Sequence, residues 1–410
     1  KNAKKKTKFP NVHPLTPPPP PSEFPAWAFE EKDYFRYELV YQSKKSSARV
    51  GRIHTPHGIV DTPGFVPVAT NGALKAVDHR AGDDANCQLM FCNTYHLLLR
   101  PGPETIEKAG GLHKFVNRNR PLITDSGGFQ VFSLSGTAGA DEMNMKSLAK
   151  RHHEKSMLKV TEEGAKFKSY VDGRMILLTP ESTVQHQKAY GADIIVPLDE
   201  LLPADADYTR LLHSVHLTHR WEARSLKEHL RDLRQQAMYC VVHGGMNMEL
   251  RKMSAEYLTS LPFDGWALGG SLGRDRKELI ELLSFVMPLL PKEKPVHLLG
   301  IADLESIGGA VPLGVDTFDS CYPTRMARHG NLLHKKEGRI KLPKLKYDND
   351  YRPIDEDCDC FTCRNYTRAY LSHLKRAKEP VADTLMTIHN LHHMNDAMAD
   401  YRERILNGEI

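Results

Sequence analysis

The sequence predicts an α/β protein whose core is a (β/α)8 TIM barrel. The main observation is a series of short, continuous apolar runs, each followed at once by a polar or glycine-rich cluster. These runs cover residues 88–92, 121–124, 193–196, 239–242, 266–268, 296–299 and 315–318. Continuous apolar runs are typical of parallel strands buried on both faces, whereas half-exposed strands alternate apolar with polar residues.

Stretches with helical periodicity separate these runs. Apolar residues recur at helical spacing over 208–230, 248–261 and 276–290, and Thr179 before Pro180 is a typical N-cap followed by proline in the first turn. Alternating strands and helices imply a parallel sheet. Because no Gly-x-Gly-x-x-Gly motif follows the first strand, a closed barrel is favoured over a doubly wound sheet. The polar residues after each strand should then line one mouth of the barrel.

The chain divides into four predicted parts. Residues 1–36 form a basic, proline-rich tail that we expect to be poorly ordered, and residues 37–345 form the barrel domain. Residues 346–395 form a subdomain with clustered cysteines, inserted near the C-terminus, and residues 396–410 form a C-terminal helix that packs on the barrel. Within the barrel, residues 136–178 are predicted to form a loop plus hairpin. The tail's composition fits an RNA-contacting arm, a sorting signal or a solvated extension, and favours the last.

The composition is that of a globular protein with a mildly basic charge balance. The 410 residues carry a formal net charge of +5, which is compatible with a phosphate-bearing partner without requiring one. The 7 cysteines, three of them within residues 358–363, argue against a disulfide framework. No apolar run approaches the roughly 20 residues of a membrane span, and no signal peptide is evident, so we expect a cytoplasmic protein without a membrane partner.

The clustered cysteines predict a metal site. Three thiolates and one imidazole, from Cys358, Cys360, Cys363 and His389, are the ligand set of a closed tetrahedral zinc site. From the sequence alone, other histidines compete for the fourth position: His373, His392 and His393. A site with four protein ligands has no open position, so we expect one zinc ion per chain with a structural role.

Two aspartates at predicted strand ends are candidates for the chemistry. Asp125 begins the segment Asp-Ser-Gly-Gly-Phe-Gln, and Asp319 ends the run that starts at Val315. Two carboxylates at one barrel mouth suit a double displacement at a sugar carbon, one as nucleophile and one as general acid and base. On the residues alone, this role competes evenly with capping or salt-bridging.

These motifs resemble the signature segments of the tRNA-guanine transglycosylase family. Asp-Ser-Gly-Gly-Phe-Gln, Phe-Asp-x-x-x-Pro-Thr-Arg, and Cys-x-Cys-x-x-Cys with a distant Ile-His-Asn-Leu occur in the family's order, and the similarity covers roughly residues 37–410. The resemblance implies an enzyme that replaces the wobble guanine of tRNAs with a GUN anticodon by a 7-deazaguanine base. It also implies a homodimer that binds one tRNA.

The resemblance further implies a role for each matching residue. Asp319 would be the nucleophile that forms a covalent bond to the ribose, and Asp125 the general acid and base. The implied base-binding residues are Ser126, Phe129, Gln130, Asp199, His243, Gly270, Gly273 and Leu299. The implied tRNA-binding residues are Thr324, Arg325 and Arg328, with a solvated cationic face as the alternative for the arginines.

Three positions depart from the family pattern. His243 stands where the family usually has glutamine, which predicts base binding that depends on pH near neutrality. Gly273 stands where users of the aminomethyl precursor often have valine, and Leu201 where they often have cysteine. A missing side chain at residue 273 would leave room for the larger base, so queuine is favoured over 7-aminomethyl-7-deazaguanine.

Other functions remain as alternatives. An inactive, zinc-stabilised tRNA-binding partner is disfavoured because both Asp125 and Asp319 are present. An archaeosine-type enzyme is disfavoured because the sequence ends about 20 residues after His389. A barrel glycosidase would use water as the acceptor and would leave abasic sites in RNA.

Overall fold

The computed structural model describes residues 12–134 and 159–410. The strands in these ranges are β1 Arg36–Gln42, β2 Arg49–Thr55, β3 Gly58–Thr62, β4 Gly64–Pro67, β5 Met90–Cys92, β6 Leu122–Thr124, β7 Lys159–Thr161, β8 Gly164–Lys168, β9 Met175–Leu178, β10 Ile194–Ile195, β11 Ala237–Val242, β12 Gly265–Leu268, β13 Val296–Leu298, β14 Thr317–Ser320, β15 Asn331–His334 and β16 Gly338–Lys341.

The helices are α1 His79–Asp84, α2 Thr94–Leu99, α3 Pro103–Lys108, α4 Leu112–Val116, α5 Gly128–Leu134, α6 Pro180–Tyr190, α7 Tyr208–Leu230, α8 Met248–Thr259, α9 Arg276–Val286, α10 Leu304–Ala310, α11 Tyr322–Arg328, α12 Phe361–Asn365, α13 Arg368–Ala377 and α14 Pro380–Leu406. Short 3-10 turns lie at Pro21–Glu23, Ala26–Phe29, Met287–Leu289, Val311–Leu313 and Leu345–Tyr347.

Eight parallel strands form a sheet that is nearly closed into a barrel, which confirms the predicted fold class. The strand order is β4-β14-β13-β12-β11-β10-β6-β5. All seven apolar runs named above contribute a strand. The eighth, β4, was not identified, because its four residues Gly64–Pro67 end in one proline and follow another, a composition that indicates a turn.

The chain divides into two compact units, each with its own buried cluster. The first unit contains the chain up to Tyr37 with Asn93–Phe115 and Ile123–His297, and its cluster includes Tyr95, Phe167 and Trp221. The second unit contains Glu38–Cys92, Val116–Leu122 and Leu298–Ile410, and its cluster includes Leu332, Leu371 and Met386.

An antiparallel sheet of strands β7, β8 and β9 precedes helix α6. The predicted loop plus hairpin therefore contains a third strand, and residues 136–158 of that prediction lie outside the described residues. Helix α6 begins as predicted: the hydroxyl of Thr179 accepts from the Ser182 amide at 3.1 Å, and Pro180 occupies the first turn.

The described part of the N-terminal segment packs against helices α7 and α8, in contrast to the expected disorder of residues 1–36. Arg220 donates to the carbonyl oxygens of Pro14 at 3.3 Å and Thr16 at 2.6 Å, and the hydroxyl of Tyr257 donates to Pro19 at 2.9 Å. An extended proline-rich chain leaves its carbonyls unpaired, so donors from a neighbouring helix can fix it. The lysine-rich start, up to residue 11, lies outside the described residues.

Helix α14 runs without interruption from Pro380 to Leu406, so the predicted boundary between residues 395 and 396 falls inside it. Residues 381–406 contain no glycine or proline that would end the helix earlier. The helix packs on strand β4 and helix α11 within the second unit. In the described parts of the chain, no helix is both long and apolar enough to cross a membrane.

Candidate active site and metal centre

Asp125 lies directly after strand β6, and both of its carboxylate oxygens accept hydrogen bonds. The side-chain amide of Asn93 donates to one oxygen at 2.7 Å, and the backbone N–H of Thr94 donates to the other at 2.7 Å. Thr94 is the first residue of helix α2, where backbone N–H groups have no partner within the helix. The carboxylate is half-buried and held in one orientation. Asn93 was not predicted as a site residue, although it begins the polar cluster that follows the run 88–92.

Two glycines bring the segment after Asp125 close to its neighbours. Gly127 has φ +83°, and a Cβ there would lie 3.0 Å from the backbone nitrogen of Tyr95. A Cβ on Gly128 would lie 3.1 Å from the carbonyl oxygen of Asp199 and 3.3 Å from its carboxylate. A side chain at Gly127 would press on helix α2, and one at Gly128 would press on the segment after strand β10, so both glycines are required by packing.

Asp199 and His243 lie side by side after strands β10 and β11. Nε2 of His243 is 3.1 Å from Oδ2 of Asp199, but the two atoms are not aligned as a hydrogen bond, and the buried Nε2 has no such partner among the described residues. The backbone N–H of His243 donates to the hydroxyl of Ser254 at 3.0 Å. The carboxylate of Asp199 and the Nε2 atom of His243 therefore lie next to each other at the ends of adjacent strands.

Gly270 completes this group after strand β12. Its φ is +74°, and a Cβ there would lie 3.1 Å from Nδ1 of His243, so the imidazole ring borders the glycine backbone. Strands β6, β10, β11 and β12 are consecutive neighbours in the barrel sheet. The structure therefore brings Ser126, Asp199, His243 and Gly270 to adjacent carboxyl ends of parallel strands in the first unit, where barrel proteins carry their sites.

Two further candidates flank Asp125 in the sequence. Ser126 is buried, with 3% of its surface exposed, and its hydroxyl accepts from the Gly128 amide at 3.2 Å. Phe129, in the first turn of helix α5, is 50% exposed. An aromatic ring with an exposed face can stack on a planar ligand. Gln130 follows it in the same helix and is half-buried.

Asp319 belongs to the second unit, in strand β14. It is 5% exposed, and one carboxylate oxygen accepts from the backbone N–H of Gly300 at 2.9 Å. Gly300 follows strand β13, so this bond also places its neighbour Leu299 close to the carboxylate. The amide holds one oxygen of the carboxylate in place, and this also sets the direction in which the second oxygen points.

Helix α11 carries the three residues predicted to contact tRNA, and they differ in exposure. Arg325 and Arg328 are half-exposed, whereas Thr324 is fully buried. The hydroxyl of Thr324 donates to the carbonyl of Cys321 at 3.2 Å. Thr324 therefore stabilises the first turn of the helix, and its contact with tRNA stays a prediction.

Gly273 has a structural explanation that does not involve a base. Its φ is +105°, and a Cβ there would lie 2.7 Å from the Cβ of Glu278 and 3.1 Å from the backbone nitrogen of Leu279. A side chain at this position would collide with helix α9, so the loop requires glycine whatever base is bound. Gly273 is consequently a weak indicator of base preference.

The predicted metal ligands converge in the second unit. Nδ1 of His389 lies 3.7, 3.6 and 3.4 Å from the Sγ atoms of Cys358, Cys360 and Cys363. For metal–sulfur bonds near 2.3 Å and a metal–nitrogen bond near 2.0 Å, the ligand atoms of a tetrahedral zinc site are about 3.5 Å apart. The residues therefore fit a tetrahedral ion.

The structure also decides which histidine belongs to this Cys3His site. Nε2 of His389 bonds to the carbonyl oxygen of Leu333 at 2.8 Å, which directs Nδ1 toward the sulfur atoms. Of the competitors, His392 pairs with Asp359 at 2.9 Å, and the ring of His373 stacks on Tyr370. Only His389 groups with the three cysteines among the described residues.

Fold and site together define an α/β-barrel protein with a polar strand-end site and a Cys3His metal centre. A family model described as queuine tRNA-ribosyltransferase matches residues 43–410. The chain is 53% identical over 372 residues to the queuine tRNA-ribosyltransferase of Protochlamydia amoebophila, covering 91% of this chain and 95% of that protein. It is also 53% identical over 376 residues to the protein of the same name from Chlamydia felis, covering 92% and 99%. The chain belongs to the queuine tRNA-ribosyltransferase family.

Proposed function

We propose that this protein exchanges the wobble guanine of tRNAs with a GUN anticodon for a 7-deazaguanine base. The observation that carries the proposal is the group formed by Asp125, Asp199 and His243 at the ends of three adjacent strands. It combines an oriented carboxylate with a donor and an acceptor suited to a purine edge. The family match supports the same reaction.

In the first half of the reaction, Asp319 acts as the nucleophile. Its carboxylate bonds to the ribose C1′ as the C1′–N9 bond breaks, and the electron pair of that bond passes to the purine. The purine takes up a proton from Asp125, which acts here as the general acid, and leaves as guanine. The hydrogen bond from Gly300 to Asp319 supports this role because it orients the carboxylate.

In the second half, Asp125 acts as the base. It removes a proton from the incoming 7-deazaguanine, whose nitrogen then bonds to C1′, while the C1′–oxygen bond breaks and returns its electron pair to Asp319. Two displacements retain the configuration at C1′. Water must be kept from the intermediate, since its attack would leave an abasic site.

The base is recognised by hydrogen-bond acceptors on one part of its edge and by hydrogen-bond donors on another. A guanine-like ring presents two donors in a row, N1–H and the exocyclic amine, which suit the Asp199 carboxylate and the Ser126 hydroxyl. The purine carbonyl accepts from His243 and from the backbone N–H of Gly270. Phe129 and Leu299 contact the two faces of the ring. The exposed face of Phe129 supports the stacking role.

Queuine is the base that we favour, with 7-aminomethyl-7-deazaguanine next. The support is Leu201, which departs from the pattern of precursor users, and the name queuine tRNA-ribosyltransferase that the relatives carry. Gly273 adds little, because helix α9 already requires it. Arg325 and Arg328 on helix α11 are the groups that we assign to the flanking nucleotides of the anticodon.

The metal is proposed to be zinc, held by Cys358, Cys360, Cys363 and His389. Thiolate and imidazole ligands at tetrahedral spacing favour zinc, which would hold the C-terminal region together and take no part in catalysis. We expect the enzyme to act in the cytoplasm, where its tRNA substrate is found.

A homodimer is also proposed, and one surface supports it. A row of rings, Phe361, Tyr366, Tyr370 and His373, lies on helices α12 and α13 and the link between them, with neighbouring centroids 5.7 to 6.5 Å apart. Phe361 is 49% and Tyr370 44% exposed. Exposed aromatic rows of this kind are typical of protein interfaces.

The decisive experiment is base exchange on a tRNA whose wobble guanine is radiolabelled. The labelled tRNA is incubated with the protein and chased separately with queuine and with the aminomethyl precursor, and Asp319→Asn is the matched control. Release of label by the wild type, abolished in the variant, is the expected result. Release with the precursor alone would contradict the preference for queuine.

The alternative is an inactive tRNA-binding partner. Such a protein would bind tRNA in a complex that dissociates with salt, and no label would be released. A covalent protein–tRNA species that survives denaturation would exclude this alternative. Abasic sites formed without any added base would instead indicate a glycosidase.

A further inference from the structure

A buried arginine with no assigned role lies beneath the base-reading groups. Arg251, on helix α8, is 0% exposed, and its guanidinium donates to four backbone carbonyls. The acceptors are Gly245 at 2.8 Å, Val242 at 2.6 Å, Gly269 at 2.9 Å and Ser271 at 2.7 Å. These carbonyls belong to the last residue of strand β11 and to the two segments that follow strands β11 and β12.

The guanidinium has no carboxylate partner among the described residues. Burial lowers the pKa of Arg251 to about 9, so it is still charged at neutral pH. A buried charge is costly unless it is fully hydrogen-bonded, and here the bonding is supplied by carbonyl dipoles alone. An apolar side chain at this position would leave the four carbonyls without this donor, so the guanidinium organises both segments. The consequence for the site depends on which backbone groups these bonds orient.

The hydrogen bonds of Arg251 fix the direction of a neighbouring amide. In a trans peptide, the C=O of one residue and the N–H of the next point in opposite directions. The carbonyl of Gly269 points to Arg251, so the N–H of Gly270 points away from it. The ring of His243 also borders Gly270, because a Cβ there would lie 3.1 Å from Nδ1. The Gly270 peptide and the imidazole ring are therefore neighbours.

The charge also acts on that peptide electrically. A cation at the oxygen end of a peptide increases the polarisation of the peptide, which makes the N–H at the other end a stronger donor. When the C1′–N9 bond breaks, negative charge spreads over the departing purine and reaches its carbonyl oxygen. Donors fixed in advance toward developing charge lower the barrier more than donors that must reorient.

We propose that Arg251 is a positioning residue for base exchange, acting through the Gly269–Gly270 peptide. It holds the Gly270 N–H toward the purine carbonyl and strengthens it as a donor while the purine leaves. The inference rests on the proposed function, because it needs a purine with a carbonyl in this site. It assigns a leaving-group role to a residue that does not touch the substrate.

The test compares Arg251→Lys and Arg251→Gln with the wild type. A lysine keeps the charge but cannot reach four carbonyls with a planar fork, and glutamine loses the charge. We expect Arg251→Lys to slow formation of the covalent tRNA complex about tenfold and Arg251→Gln about a hundredfold, with KM for guanine raised and KM for tRNA changed less than about twofold. The preference of the site for guanine over 2-aminopurine, which lacks the carbonyl, should fall in both variants.

Arg220→Lys is the matched control. Arg220 is also largely buried in the first unit, but it bonds to Glu162 and to the N-terminal segment. The control should keep wild-type trapping rates and base preference. An equal loss in Arg220→Lys, or a folded Arg251→Lys with wild-type rates and guanine preference, would overturn the proposal.

If neither Arg251 variant folds, amide hydrogen exchange of the wild-type protein tests the proposal instead. Guanine should slow exchange in the peptide that contains Gly270, and 2-aminopurine should not. Equal protection by both bases, or by neither, would overturn the inference. If the wild type itself exchanges no guanine, the proposed function has failed first and the inference falls with it. Wild-type exchange with unaltered variants defeats the inference alone.

Discussion

The two compact units hold their functional groups by different means. In the first unit, Asp125 and the residues of the base site are fixed by separate hydrogen bonds, each from one side chain or one amide. In the second unit, the four side chains of the Cys3His site converge and connect segments of the C-terminal region. Separate bonds can be lost one at a time, whereas a shared ion is lost as a whole. Substitutions should therefore reduce function step by step in the first unit, whereas loss of the ion should unfold the second unit in one step.

The largest expected effect comes from the metal centre. Cys360→Ser, or removal of the ion with a chelator, should destabilise the second unit by several kcal/mol, because ion binding contributes directly to folding. Hydrogen exchange should rise in helices α12 to α14, while strands β10 to β12 keep their protection. Measurements of the metal content and of thermal unfolding check that the ion has been lost and that stability has fallen. Equal loss of protection in both units would break the comparison.

Loss of one bond to Asp125 should have an intermediate effect. Asn93→Ala removes one of the donors to this carboxylate, and a hydrogen bond to a charged group contributes about 1.5–3 kcal/mol. We expect the transfer of the incoming base to slow about tenfold, with a stability loss no larger than that contribution and an unchanged metal content. Single-turnover transfer to pre-trapped tRNA measures this step.

Gln185→Ala is the control for Asn93→Ala. Gln185 lies on the exposed part of helix α6 and bonds to Glu228 at 3.0 Å, away from Asp125. Wild-type transfer is expected for this variant. Wild-type transfer by Asn93→Ala as well would show that the Thr94 amide suffices to orient the carboxylate.

The smallest expected effect is a pH dependence of the first unit. His219 is buried and its ring bonds to Ser254 at 3.0 Å. Burial, with smaller contributions from His243, His216 and Arg220 nearby, lowers the pKa of His219 to about 3. The unfolded chain, with an ordinary histidine pKa near 6.5, then binds the extra proton first.

Stability of the first unit should therefore fall as the pH drops from about 6.5 toward 3, by up to about 1.4 kcal/mol per pH unit for this group. His219→Gln should lessen the slope. Hydrogen exchange of strands β10 to β12 between pH 7.5 and 5 measures it without interference from the metal ligands. An unchanged slope in the variant would assign the acid sensitivity to other groups.

Features that depend on neighbouring residues in the sequence were predicted, and features that depend on contacts between distant residues were not. The bounds of helix α7 and the group of Cys358, Cys360 and Cys363 with His389 follow from periodicity and spacing. Arg251 gave no signal, because an arginine on a helix is usually solvated and its four acceptors become neighbours only in the folded barrel. The packed N-terminal segment was missed for the same reason, since its donors lie more than 200 residues away.

The unbroken course of helix α14 sets a limit on how the family can vary in length. His389 enters the metal centre from this helix, and Arg402, thirteen residues later, donates to the carbonyl of Pro63 beside strand β4 at 2.7 Å. The two anchors are roughly 20 Å apart along the axis. One inserted residue would turn Arg402 about 100° away from its acceptor. Insertions are therefore tolerable in the loops, but the number of residues between these two anchors is fixed.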